Sequence, residues 1–167
     1  MKEQASPAMR ECAPETARPG TPVIVDVFAR TGQNGIVEFT HAWRWGQDGP
    51  SQGNGRIIIP QRRPNEPETP MHFHLHDQTD DPKRGFAFSN KQGAAMWVKR
   101  DCCPPDSPRS DDAQIPPADM ETGLKLLKVV NVNSEKCSLH YRLWVKDRKG
   151  KWDSYDPEII NGGKGAA

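Results

Sequence analysis

The sequence predicts an all-β sandwich of about seven to nine short strands with little or no helix. Apolar residues alternate with polar ones in several short stretches, and Gly, Pro, Asn and Asp recur between those stretches. No stretch has the sustained 3.6-residue spacing of an amphipathic helix. Because the predicted strands follow one another closely, as they do in hairpins and meanders, we expect antiparallel sheets.

The predicted strands are recognised by β-branched and aromatic residues at alternate positions. In chain order they are PVIVDVF, GIVEFTHAWRW, the short run 57–59, MHFHLHDQT, GFAFSN, GAAMWVKR, LKLLKVVNVN, CSLHYRLWVKD and the run 158–160. In the second strand, His41 falls on the same face as Phe39 and Trp43. We therefore expect a buried imidazole with apolar neighbours at this position.

The length of the chain, 167 residues, is that of one domain. Residues 1–21 mix charge with Pro, Ala and Gly and predict a mobile tail, residues 22–163 a single sandwich domain, and residues 164–167 a frayed C-terminus. Within the domain, residues 101–121 contain five prolines, which oppose sheet pairing. This segment predicts a long surface loop.

The charge and the hydropathy of the chain each exclude one class of partner. Lys and Arg total 23 against 22 acids, a net charge of +1, and no segment gathers the basic residues that bind phosphates. We expect no nucleic-acid partner. The sequence also contains no signal-like segment and no long apolar run, so we expect no membrane association and a cytoplasmic location.

The four cysteines are Cys12, Cys102, Cys103 and Cys137, and no two of them have the spacing of a zinc-chelating pair. Reduced thiols are the expectation in the cytoplasm. A strained disulfide between the adjacent Cys102 and Cys103 is the open alternative.

Three segments carry a family resemblance: HDQT at 76–79 with GFAF at 85–88, AMWV at 95–98, and YDPEIING at 155–162. Together they resemble the DP-EP family, bacterial proteins of uncharacterised function. The resemblance spans about residues 22–163 and implies an immunoglobulin-like β-sandwich, without an activity or cofactor. In the terminal run, Asp156 is suited to accept backbone hydrogen bonds in a turn while Pro157 stiffens the last strand. A ligand-binding role for Asp156 is the alternative.

The strand MHFHLHDQT places His72, His74 and His76 on one side, about 6 to 7 Å apart along the strand. Such His-x-His pairs bind divalent metals with a third ligand from a neighbouring strand, for which His140 is the candidate; Asp77, at the end of the same strand, is the other candidate. Cupins also use a His-x-His strand, so a cupin-like metalloenzyme is one alternative. Because Phe73 and Leu75 supply the core-facing half of the alternation, the preferred interpretation is a solvated strand face without metal.

We therefore predict a non-enzymatic β-sandwich module that binds a protein or small ligand, with no cofactor. The alternative is a metal-binding protein or metalloenzyme that uses the histidine strand. Among five tryptophans, Trp144 lies on the polar side of its strand and is the best candidate for ligand contact. Open sheet edges also favour a homodimer through edge strands.

Overall fold

Two β-sheets pack face to face in the computed structural model of the chain. It describes residues 20–52, 56–79, 85–89, 95–100, 113–148, 152–155 and 158–162, with only the backbone described at Asn34 and 152–155. The described residues contain eleven strands and two short 3-10 turns, at Gln33–Gly35 and Pro117–Asp119. No helix in this part of the chain is long and apolar enough to cross a membrane.

The first sheet has the strand order β2-β1-β4-β8-β7. Its strands are β1 Val23–Thr31, β2 Val37–Trp45, β4 Thr69–Gln78, β7 Glu121–Thr122 and β8 Leu126–Asn131. The central strand β1 pairs antiparallel with β2 and parallel with β4. On the face of β1 that points away from the core, Ile24 has no exposed surface, whereas Arg30 is exposed.

The second sheet is built around β9, Cys137–Lys146. Its other strands are β3 Arg56–Ile59, β5 Ala87–Phe88, β6 Met96–Arg100, β10 Trp152–Tyr155 and β11 Glu158–Asn161. The strands β5, β6, β10 and β11 pair antiparallel with β9, and β11 pairs parallel with β3. Every other residue of β9 from Leu139 to Val145 is buried, so one face of the sheet covers the core.

The core lies between the two sheets and takes side chains from both. Phe73 of β4 meets Tyr141 of β9 edge to face, with 5.6 Å between ring centroids. His41 is buried, 8% exposed, as its strand alternation predicts. Its burial lowers the pKa of the imidazole, because desolvation disfavours the charged form.

The structure confirms the all-β sandwich and corrects two details. The sheets are mixed rather than purely antiparallel, because β1 pairs parallel with β4 and β3 with β11. The alternation of a strand fixes its faces but not its partner, so this pairing was not predicted. The described strands number eleven, because the two-residue β7 and the segment β10, which precedes β11, add to the nine predicted runs.

The end of the predicted loop 101–121 lies against the core rather than at the surface. Gln114, Ile115 and Met120 are all buried, and the carbonyl of Gln114 accepts a hydrogen bond from the Val132 amide at 2.7 Å. In the sequence, the apolar Ile115 and Met120 on either side of two prolines were the pattern that could have indicated this burial. Residues 101–112, with Cys102 and Cys103, lie outside the described residues, as do residues 1–19, Cys12 and residues 163–167.

The terminal run joins the two sheets. Asn161, at the end of β11, and Asn131, at the end of β8, exchange amide hydrogen bonds of 2.7 and 3.0 Å. Both side chains are buried, so each satisfies the polar groups of the other. The segments β10 and β11 hold the same register against β9, and Asp156 and Pro157, which separate them in sequence, lie outside the described residues.

Candidate binding surfaces

The three histidines of β4 lie on the face of the first sheet that points away from the core. Phe73 and Leu75, between them in sequence, are buried in the core, as the alternation predicts. His76 has a side chain 43% exposed, whereas His72 and His74 are partly buried. Asp77, one of the proposed further ligands, lies on the opposite face of the strand and accepts hydrogen bonds from Thr79.

Asp26 of β1 connects the histidine face to the neighbouring strands. Its carboxylate contacts His76 Nε2 at 2.8 Å and forms a hydrogen-bonded ion pair with Arg44 of β2. Burial alone would raise the pKa of Asp26, but the hydrogen bonds and charges of His76 and Arg44 outweigh it, and the pKa is lowered. The His76 ring also stacks on Phe28, with 5.0 Å between centroids. These contacts hold His76 in one orientation.

Desolvation lowers the pKa of His72 and of His74, so both favour the neutral form. For His72, the charge of Lys128 on β8 lowers the pKa further. For His74, the charge of His76 lowers the pKa while that of Asp26 raises it. Within the described part of the chain, His74 Nε2 has no hydrogen-bond partner. This face can take up protons as the pH falls, at a cost to stability.

His140 does not join the other three histidines. It lies on β9 of the second sheet, on the face away from the core, 3.9 Å from the carboxylate of Glu158. The two sheets stand between His140 and the histidines of β4, so the predicted four-histidine set is not a cluster. Among the residues described, no three His, Cys, Asp or Glu side chains are placed to hold a metal ion.

An aromatic cluster occupies the outer face of the second sheet. Trp97 of β6 and Trp144 of β9 lie with ring centroids 4.4 Å apart and planes inclined by 44°. Arg142, directly opposite Trp97 in the strand register, holds its guanidinium 5.9 Å from the Trp144 ring centroid. Both indoles retain partial solvent exposure. We call Trp97, Arg142 and Trp144 the tryptophan face.

The large outward side chains of β6 and β9 include several cations. Six large side chains point outward from these two strands: Trp97 and Lys99 on β6, and His140, Arg142, Trp144 and Lys146 on β9. None of the six is an acid. Glu158 lies at the edge of this set, where Arg56 and Ser138 also contact its carboxylate.

Trp144 was predicted as a ligand contact from its position on the polar side of its strand, and the structure places it on that outer face. Trp97 was one of the five tryptophans considered but was not singled out, although Met96 and Val98 on either side of it are apolar and the alternation indicates that it points outward. Its indole N–H is buried without an acceptor among the described residues. Asp156, the other predicted ligand contact, lies outside the described residues.

No family model matches the chain, and no curated protein matches it.

Proposed function

We propose that this protein is a non-enzymatic interaction module that binds an acidic surface or segment of another protein through the tryptophan face. The observation that carries the proposal is the contact between Trp97 and Trp144 on a sheet face that the core does not use. Sheet faces of soluble sandwiches are usually polar, and two adjacent tryptophans there require a reason.

The residue types of the face support a protein partner. Trp and Arg are the side chains most enriched among residues that dominate the free energy of protein association. The ring of Trp144 also fixes the guanidinium of Arg142, so this cation loses little conformational freedom when a partner binds.

The charge pattern supports an acidic partner. Lys99, Arg142 and Lys146 project from the same face, and the six outward positions include no acid. Such a surface attracts a negatively charged partner and repels a basic one, and the attraction weakens as salt is added. The indole N–H of Trp97, which has no acceptor among the described residues, is a donor suited to a carboxylate or carbonyl oxygen of the partner.

The test is a peptide-display selection on the purified full chain, followed by affinity measurements on the selected peptides. We expect selected peptides rich in Asp and Glu, with binding that weakens about 30-fold in Trp144→Ala. Phe28→Ala, which removes an aromatic ring from the outer face of the first sheet, is the matched control and should bind normally. Trp144→Phe keeps an apolar ring at this position, so it separates a loss of binding from a folding defect in Trp144→Ala.

Two outcomes would contradict the proposal. One is selection of peptides without acidic enrichment. The other is equal binding by Trp144→Ala, Trp144→Phe and the wild-type chain.

Two further predictions from the sequence remain proposals. Membership of the DP-EP family rests on the segments quoted above, and a homodimer rests on edge strands such as β2. Sedimentation at several concentrations tests the dimer, and a single monomeric species throughout would refute it.

A further inference from the structure

A pocket of about 60 Å³ lies at one end of the sandwich. It is formed where β2 and β3 end, where β4 begins, and where the chain leaves β8. Trp45, Pro60 and Pro67 contribute apolar wall, and Arg62, Glu66 and Asn133 contribute polar groups. The pocket therefore combines apolar surface with a few convergent polar groups, which is the composition of small-molecule sites. None of these residues belongs to the tryptophan face.

Arg62 is held in position by neutral groups. Its Nε donates to the carbonyl of Val132 at 2.9 Å, and its Nη1 donates to the carbonyl of Glu66 at 2.7 Å. Neither bond uses Nη2, and within the described residues no ion pair joins Arg62 to a carboxylate. The guanidinium thus keeps its full positive charge, with donors left for an anionic group.

Asn133 supplies the second polar group. It is 1% exposed and adopts a left-handed backbone conformation, with φ of 51°. Its Nδ2 donates to the carbonyl of Pro60 at 2.7 Å, which fixes the orientation of the amide. Its Oδ1 is buried and has no donor among the described residues. A buried acceptor without a donor costs free energy, which a ligand can recover by supplying one.

We propose that this pocket binds a small carboxylate that carries an N–H or O–H donor on the carbon next to the carboxyl group. The carboxylate pairs with Arg62, and the neighbouring donor satisfies Asn133 Oδ1. A water position needs roughly 10–15 Å³, so the pocket takes a group of ~4–6 heavy atoms. Two sources share this chemistry: a free 2-hydroxy or 2-amino acid, and the carboxyl-terminal residue of a peptide chain.

The experiment is a titration of the ¹⁵N-labelled full chain, followed by amide chemical shifts. L-lactate and L-alanine represent the free acids, and N-acetyl-alanyl-alanine represents a chain terminus. Propionate keeps the carboxylate but lacks the donor, and the dipeptide amide lacks the carboxylate. We expect saturable shifts around Arg62 and Asn133 with a Kd of about 1 mM for the matching source, and at least ~10-fold weaker binding of its matched control.

Variants connect the binding to the pocket. Arg62→Gln should weaken carboxylate binding ~10-fold or more, because it removes the charge. Arg63→Gln, which removes an exposed charge next to Arg62 in sequence, is the matched control. Since Arg62→Gln also disturbs two hydrogen bonds, Glu66→Gln provides an independent test: it removes a negative charge from the pocket wall and should tighten binding.

The result identifies the source or overturns the site. Preference for lactate or alanine indicates a free acid, and preference for the dipeptide acid indicates a chain terminus. The proposal is overturned if none of the acids saturates at about 10 mM, if propionate and the dipeptide amide bind as well as their partners, or if Glu66→Gln leaves affinity unchanged.

Discussion

The hydroxyl of Tyr141 lies in the middle of the core, and its removal tests how the sandwich is stabilised. Tyr141 has no exposed surface, and its oxygen has no hydrogen-bond partner in the part of the chain that the structure describes. Its ring packs edge to face on Phe73. Tyr141→Phe keeps the ring and this contact while it removes the buried polar atom. We expect the variant to be more stable than the wild-type chain.

The size of the effect follows from two opposing terms. Burial of a hydroxyl without a hydrogen bond costs about 1–3 kcal/mol in mutational measurements. Loss of the oxygen leaves a void of about one atom, for which ~24 cal/mol per Å³ of cavity gives a few tenths of a kcal/mol. The net gain in the free energy of unfolding should be about 1 kcal/mol or more, or ~2–4 °C in Tm.

Urea denaturation measures this gain as a higher midpoint at unchanged slope. Tyr141→Leu is the matched control, because it removes the ring as well and should destabilise the chain by about 2–4 kcal/mol.

The pH dependence of stability is a second readout. Burial raises the pKa of Tyr141 well above its usual 10.0, so above that value only the unfolded chain loses the proton, and stability falls as the pH rises. Tyr141→Phe should remove this loss. A destabilised Tyr141→Phe would refute the reasoning and reveal a buried partner for the hydroxyl.

Three other perturbations have expected outcomes. Asp26→Asn should lower the free energy of unfolding by ~0.5–1.5 kcal/mol near neutral pH, measured by urea denaturation. Because the folded pKa of Asp26 is lowered, this difference from the wild-type chain should disappear as the pH falls through that pKa. The pKa values of His41, His72 and His74 are lowered from 6.5, so the unfolded chain binds more protons below that pH, and Tm should fall between about pH 7.5 and about pH 5.5; a constant Tm would contradict this. Asn161→Ala should lower the free energy of unfolding by ~2–3 kcal/mol. A double-mutant cycle with Asn131, its amide partner on β8, should show a coupling energy of about 1 kcal/mol or more. Additive effects of the two substitutions would show that the pair contributes nothing.

The alternation of residues predicted the core because burial follows directly from side-chain period. Phe73, Leu75 and Tyr141 face inward where the pattern places them, and His41 is buried as its alternation predicts. The partner of each strand could not be predicted in the same way. The parallel pairing of β1 with β4 joins segments with no hairpin between them, and it depends on how the whole chain packs.

The candidate surfaces were predictable only in part, for the same reason. Trp144 could be placed on an outer face from its own strand, but its contact with Trp97 depends on the register of β6 against β9. The pocket brings Arg62 and Asn133 together from distant parts of the sequence. No local pattern indicates a site whose groups meet only after the two sheets have packed.

The pairing of β3 with β11 has a consequence for synthesis of the chain on the ribosome. Among the described strands, β3 has β11 as its only partner, and β11 is the last of them in chain order. The backbone groups of β3 that pair with β11 must therefore stay unpaired until β11 has left the exit tunnel. During that interval β3 is open to pairing with other nascent chains. Chaperone dependence of newly made protein should therefore respond to substitutions in β11 as well as in β3.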